Sequence, residues 1–239
     1  PNASTSTQPT RRWADIAKNH AQVPPAIAAI APDGQLTPAQ RRRFLISISL
    51  RRQQPGTGSA PQFLRERSAR YAWPDLRSIL KGIRWAVVGA VATRAYMPER
   101  MTSDFDILVH HHDGDAALAR LQQAGYELAS ELSIPGYMLN APDGTEIDLL
   151  LIPFEWIDDA LQPDQTDPAG YPVLGLPYLV LMKMETSRPQ DLGDLSRMLG
   201  LAEEDDLEKV RAAVTRYMPD AAEDLESLIY LGRLEMGEI

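Results

Sequence analysis

The chain has 239 residues, 44% of them hydrophobic, and carries 24 Lys and Arg against 33 Asp and Glu for a net charge of −9. That length buries one compact core with a helical appendage, or two small domains, and no apolar run reaches the roughly 20 residues of a bilayer span. Cysteine is absent, which excludes disulfides and thiolate-bound metal, and the polar opening "PNASTSTQPTRRWAD" lacks an apolar signal core, so a cytoplasmic protein without membrane contact is expected.

Charge is uneven along the chain. Residues 1–81 hold 13 Lys and Arg against 4 Asp and Glu (+9), whereas residues 82–239 hold 11 against 29 (−18). A basic first third contacts either nucleic acid or phosphate groups, or docks on the acidic body of its own chain or of a partner, and charge balance does not choose between them. Residues 1–10, rich in Ser, Thr and Pro, are expected to be disordered. "LTPAQRRRFLISISLRR" (36–52) reads as a helix with Thr37 as N-cap and Pro38 at the first helical position. "QQPGTGSAPQ" (53–62) has linker composition and sets a soft boundary.

"DLRSILKG" (75–82) reads as a helix stopped by Gly82, and "IRWAVVG" (83–89) as a short buried strand ending in glycine. A short helix over 90–97 is broken by Pro98. "DFDILV" (104–109) is the second strand, followed by a helix over 115–125. The stretches "YELASEL" and "GYMLNAP" read as strands, and a turn at Asp143-Gly144 leads into the apolar strand of "APDGTEIDLLLIP" (141–153). Beyond Pro177 four helices are expected, over 177–187, 191–199, 205–217 and 220–234. The fold class is therefore α/β (α+β). A basic N-terminal extension spans residues 1–62, a small mixed-sheet domain spans 63–175, and a helical C-terminal part spans 176–239.

The chemistry is concentrated in carboxylates. Side chains alternate across a strand, so Asp104 and Asp106 share one face while Phe105 and Ile107 take the other. Asp148 stands between Ile147 and Leu149 in the later strand. If the two strands are neighbours, three negative charges converge on one face, and a divalent cation is their natural compensation. Mg2+ suits them, because it takes oxygen ligands and bridges carboxylates to substrate phosphates. Taken alone, Asp-x-Asp is also satisfied by a solvated strand edge. Gly89 lets the backbone turn sharply and come close to a phosphate. Lys183, in an otherwise apolar helix, reads either as an ammonium for a triphosphate or as a lysine snorkelling to the surface. "HHHDGD" (110–115) has metal-tract composition, but reads as a polar strand exit, because successive strand residues point to opposite faces. Arg94 and Tyr96 are minor candidates for nucleotide contact.

The run Gly89, Ala92, Arg100, Thr102, Asp104 and Asp106, followed by Asp148 and then by Lys183, Arg188, Asp191 and Asp194, resembles the nucleotidyltransferase superfamily, with its minimal polymerase-beta-like fold. The branch it looks most like is that of the AbiEii-type toxins, and the resemblance covers about residues 80–200. It implies a Mg2+-dependent transfer of a nucleoside monophosphate from an NTP to a hydroxyl of RNA (a tRNA end), of a protein or of a small molecule. Asp104 and Asp106 would hold one or two Mg2+ ions, Asp148 would share the catalytic one and help deprotonate the acceptor, and Lys183 would steady the triphosphate. Gly89, Ala90, Arg100, Thr102 and Asp191 are the further residues it brings to the nucleotide. Ala90 departs from the pattern, since a serine hydroxyl there would reach a phosphate and alanine offers only its N–H. It also implies a cognate partner protein if the chain is the toxin-like member of a toxin–antitoxin pair. A second class stays open: an antitoxin-like or non-catalytic interaction protein on the same fold, with the basic extension as its docking arm.

Overall fold

The computed structural model describes residues 23–56, 73–98, 102–162 and 165–237. The expected disorder of residues 1–10, the second half of the 53–62 linker, the 62/63 boundary and Arg100 lie outside the described residues. Two helices open the described chain, α1 (Pro25–Ala28) and α2 (Pro38–Arg52). In α2, Thr37 and Gln40 form a reciprocal capping box: Thr37 Oγ1 accepts from the Gln40 N–H at 3.2 Å, and Gln40 Oε1 accepts from the Thr37 N–H at 2.9 Å. The sheet domain follows as β1 (Trp85–Val87), α3 (Gly89–Ala92) with a 3-10 turn at Thr93–Ala95, β2 (Asp104–Val109), α4 (Gly114–Gln123), β3 (Glu127–Glu131), β4 (Gly136–Asn140), β5 (Glu146–Leu150) and α5 (Ile157–Ala160). Four helices complete the chain: α6 (Leu176–Thr186), α7 (Pro189–Gly200), α8 (Glu204–Tyr217) and α9 (Ala222–Met236).

The strands form one five-stranded mixed sheet in the order β1-β2-β5-β4-β3. Only β2 and β5 run parallel; β1–β2, β4–β5 and β3–β4 are antiparallel. The parallel pair requires a long crossover, supplied here by α4 and the β3–β4 hairpin. β2 buries Phe105, Ile107, Leu108 and Val109 completely, and Phe105 is held between Trp73 (stacked, 5.4 Å between ring centres) and Tyr171 (edge-on, 6.1 Å). The Phe105/Ile107 side of this strand is thus core, as its alternation predicts.

The helical part packs on itself and on α2. α7 crosses α9 so closely that a Cβ added at Gly232 would lie 1.9 Å from the Ser196 carbonyl oxygen, and one at Gly200 would lie 2.5 Å from the Gly232 carbonyl carbon. Two glycines face each other because no other residue lets the backbones meet. α2 lies against α6, α7 and α9. Its Arg42 is buried, with Nε on Asp224 Oδ2 at 2.8 Å and Nη1 donating to the Met184 carbonyl (2.7 Å) and Ser187 Oγ (3.1 Å). Arg43 donates to the Asp220 carbonyl at 3.0 Å. For these two arginines, the basic segment docks on the acidic body of its own chain.

Two local expectations need correction, and two short helices went unread. Residues 77–82 form turns rather than a regular helix. Asp75 accepts from the Arg77 N–H at 3.0 Å and Gly82 turns left-handed (φ 80°), leaving a piece too short to repay helix nucleation. β2 ends at Val109, so His110, His111 and His112 enter a 3-10 turn (His111–Asp113) and the alternation argument does not apply to them. Finally, α1 and α5 have four residues each, below the length at which periodicity shows. No helix among the described residues is long and apolar enough to cross a membrane.

Candidate active site

The parallel register sets Asp106 opposite Asp148, Asp104 opposite Glu146, and Phe105 opposite Ile147. Strand alternation then places four carboxylates on one sheet face, with Phe105 and Ile147 buried on the other. Three of the four are the acids that the sequence singles out. Glu146 is the addition; its signal was its position two residues before Asp148.

Gly89 stands directly against this cluster. Its φ of 65° is left-handed, and a Cβ built there would fall 1.8 Å from Asp106 Oδ2. The β1–α3 turn therefore leaves the Asp106 carboxylate the space that any side chain at 89 would occupy, while the Val88 N–H donates to the Asp106 carbonyl at 2.9 Å and fixes the two strands. Ala90 is buried in the first turn of α3. Thr102 precedes the pair and its Oγ1 accepts the Asp104 N–H at 3.4 Å; Ser103 Oγ donates to Asp104 Oδ1 at 2.7 Å.

The electrostatics are those of an uncompensated cluster. Burial, then the Asp148 and Asp104 charges, push the Asp106 carboxyl up to about 6, against opposing pulls from Arg188 and Lys183. Burial, with Asp104 and Glu146, raises Asp148 as well. Neither Asp106 nor Asp148 has a hydrogen-bond or ion-pair partner among the described residues. Both are half-buried and keep oxygens open to solvent, so the face can receive a cation.

The positive side comes from the corner between α6 and α7. Ser187, the only non-glycine residue with positive φ among those described (49°), ends α6, and Arg188 begins α7. Asp191 is fully buried and organises the corner. It accepts from the Arg188 N–H (3.1 Å), Arg188 Nε (2.8 Å) and Thr186 Oγ1 (2.7 Å). Burial works against its charge, but those bonds from Arg188 and Thr186, with Lys183 nearby, hold its carboxyl below the usual carboxylate range.

Lys183 is buried with its Nζ on Asp194 Oδ2 at 2.8 Å and near Asp191 Oδ1 at 3.5 Å. Both carboxylates lie on α7, so this lysine ties α6 to α7 instead of projecting into solvent. The more open cation is Arg188, whose side chain is 57% exposed.

The corner is also where Arg42 arrives from α2, through Met184 and Ser187. Nothing local in the sequence marks Arg42 among its neighbours Arg41 and Arg43. Arg94 and Tyr96 are engaged elsewhere: Arg94 pairs with Asp167 and lies over the Tyr171 ring (5.3 Å), and Tyr96 donates to the Leu174 carbonyl at 2.8 Å.

Two hard-cation criteria are met by these residues. The donors are all oxygens, and the half-buried Asp106 carboxylate, which fills the space a side chain at position 89 would need, has no protein partner among the described residues. The set fits Mg2+.

No family model matches the chain, and no curated protein matches it. Among solved structures it is similar to the antibiotic-resistance factor ANT(2'')-Ia in solution, at 16% identity over 66% of this chain and 87% of that one, with a TM-score of 0.39. The crystal structure of ANT(2'')-Ia in complex with adenylyl-2''-tobramycin gives 19% identity, 66% and 92% coverage, and a TM-score of 0.37. Terminal uridylyl transferase 4 from Trypanosoma brucei with bound UTP gives 10%, 84% and 71%, and 0.26. Identities and TM-scores this low leave the carboxylate geometry as the ground for a function.

Proposed function

We propose that the chain is a Mg2+-dependent nucleotidyltransferase that moves a nucleoside monophosphate from an NTP to a hydroxyl acceptor. One observation carries this reading: the register of β2 on β5 gathers Asp104, Asp106 and Asp148 on one face, where the half-buried Asp106 carboxylate has no protein partner among the described residues and Gly89 leaves it room. Such a cluster costs stability unless a cation answers it.

In the reaction the acceptor oxygen bonds to the α-phosphorus as the bond from that phosphorus to the bridging β-phosphate oxygen breaks, and pyrophosphate leaves. Asp104 and Asp106 would hold one or two Mg2+ ions and Asp148 would share one; bound there, the metal supplies Lewis-acid stabilisation of the phosphate charge. Asp148, with its raised proton affinity, takes the proton from the acceptor hydroxyl. Arg188 faces the site from the α6–α7 corner and steadies the triphosphate. Lys183, given that role by the resemblance, acts through its bonds to Asp194 and Asp191, which fix the corner, and through its positive potential at Asp106. Gly89, with the Ala90 N–H beside it, forms the phosphate-side turn.

RNA, a protein side chain and a small molecule are the acceptor classes. The narrower placement in the toxin-like branch, with a cognate antitoxin partner, rests on the resemblance carried by Gly89, Ala92, Arg100, Thr102, Asp104 and Asp106 and by Lys183, Arg188, Asp191 and Asp194. To test the reading, the protein is incubated with Mg2+, each labelled NTP, and total tRNA or cell lysate, beside an Asp104→Asn/Asp106→Asn variant. Label transfer that disappears in the variant supports it; no transfer together with no Mg2+-dependent NTP binding overturns it.

A further inference from the structure

The three histidines that leave β2 form a second cluster, at the other end of the strand from Asp104. At about 3.3 Å per residue, His110 lies about 13 Å along the chain from Asp106. The 3-10 turn folds the three rings together: centres are 4.6 Å apart for His110–His111, 5.0 Å for His110–His112 and 4.1 Å for His111–His112. One ring nitrogen from each lies within 4.8 Å of the others. In a tetrahedral site with bonds of about 2.1 Å the nitrogens stand roughly 3.4 Å apart, so small ring rotations close the gap.

The hydrogen bonding prepares nitrogens for a metal. His110 is buried, and its Nε2 meets Asp158 Oδ1 at 3.1 Å. With that proton given to the carboxylate, Nδ1 carries the lone pair; it accepts the His112 N–H at 3.3 Å as the N-cap bond of the turn, a long bond that a metal would displace. Carboxylate–histidine pairs of this kind orient metal-bound imidazoles. His111 Nδ1 is buried with no hydrogen-bond partner, an uncommon state for a ring nitrogen. His112 is exposed and free to rotate. Arg84, bound to Asp113 (3.3 Å) and Asp158 (2.9 Å), is the cation nearby; both carboxylates partly neutralise it.

We propose that His110, His111 and His112 form a binding site for one divalent transition ion of the zinc, nickel or copper class, with Asp158 orienting His110 from behind. Imidazole donors select these ions over Mg2+ and Ca2+, which take oxygen. The site is thus chemically separate from the carboxylate cluster. A bound ion would fasten the end of β2 to the turn that opens α4.

The test uses tag-free full-length chain kept in millimolar Mg2+, so that the carboxylate face is already served. Zn2+ is titrated by calorimetry and Co2+ by visible absorption. One ion per chain, with a dissociation constant on the order of micromolar and a rise in melting temperature of about 5 °C, is expected. His111→Ala and His112→Ala should each weaken binding tenfold or more without changing the metal-free melting temperature, and Asp158→Asn should weaken it about tenfold. Absence of saturable binding, equal binding by the His111→Ala/His112→Ala variant, or loss of the ion in Asp106→Asn overturns the proposal.

Discussion

Replacing Asp106 by asparagine should stabilise the metal-free protein at neutral pH. The carboxylate is held up to about 6 by burial and by Asp148 and Asp104, against an ordinary value of 3.8. At about 1.4 kcal/mol per pH unit, that difference corresponds to about 3 kcal/mol. Its sign follows from proton binding. Below pH 3.8 the group is protonated whether the chain is folded or not, and it contributes nothing. Between 3.8 and about 6 the unfolded chain releases its proton first, so stability falls as pH rises. Above about 6 the full penalty stands. Asp106→Asn keeps the shape and removes the charge, so it should gain about 2–3 kcal/mol at pH 8 in a chelator. That gain should shrink toward zero near pH 4, and Mg2+ should raise the stability of the native chain more than that of the variant. Urea unfolding at the two pH values, with and without Mg2+, measures all three. A variant less stable than the native chain at pH 8 without metal, or a difference independent of pH, would refute the account of the cluster.

Gly89→Ala must move either the turn or the Asp106 carboxylate, since the new methyl would sit 1.8 Å from its oxygen at a left-handed φ; a loss of about 2 kcal/mol and of Mg2+ binding is expected by melting and calorimetry. Arg42→Met leaves the buried Asp224 only the 3.6 Å contact of Arg43 and should cost about 3 kcal/mol in urea, whereas the half-buried Arg41, which has no ion pair among the described residues, should tolerate the same change within about 1 kcal/mol. Arg188→Gln should lower NTP affinity about tenfold in equilibrium binding. Lys183→Met, which removes the ammonium between Asp194 and Asp191, should show mainly as a destabilisation of about 3 kcal/mol.

The sheet and its carboxylate face were readable because strand alternation is a local rule: Asp104 and Asp106 between Phe105 and Ile107 declare which side is core, and Asp148 between Ile147 and Leu149 repeats the statement. The α6–α9 helices were readable for the same reason, with boundaries within a few residues. What resisted reading depends on distant partners. A lysine in an apolar helix has one sequence whether its ammonium reaches a phosphate or, as Lys183 does, closes on Asp194 eleven residues later. Arg42 is indistinguishable from Arg41 and Arg43 until Asp224 and Ser187 are placed beside it. The histidines were readable as a polar exit from β2, but not as a cluster of rings, because beyond Val109 the chain enters a 3-10 turn and the two-residue period no longer governs direction.

The Arg42 clamp also sets an order of assembly. Its partners lie 142, 145 and 182 positions further along the chain, at Met184, Ser187 and Asp224. During synthesis from the N-terminus, α2 must therefore wait for almost the whole polypeptide before its arginine is answered. All five strands of the sheet, with its cluster of acids, lie within residues 85–150, although Trp73 and the 171–174 segment complete their packing. The corner's own bonds run among residues 183–194, but its tie to α2 closes only when both ends of the chain have met, and such long-range closures are the slow steps of folding. The tie of α2 to the rest of the molecule is thus completed last, when the last helix is in place.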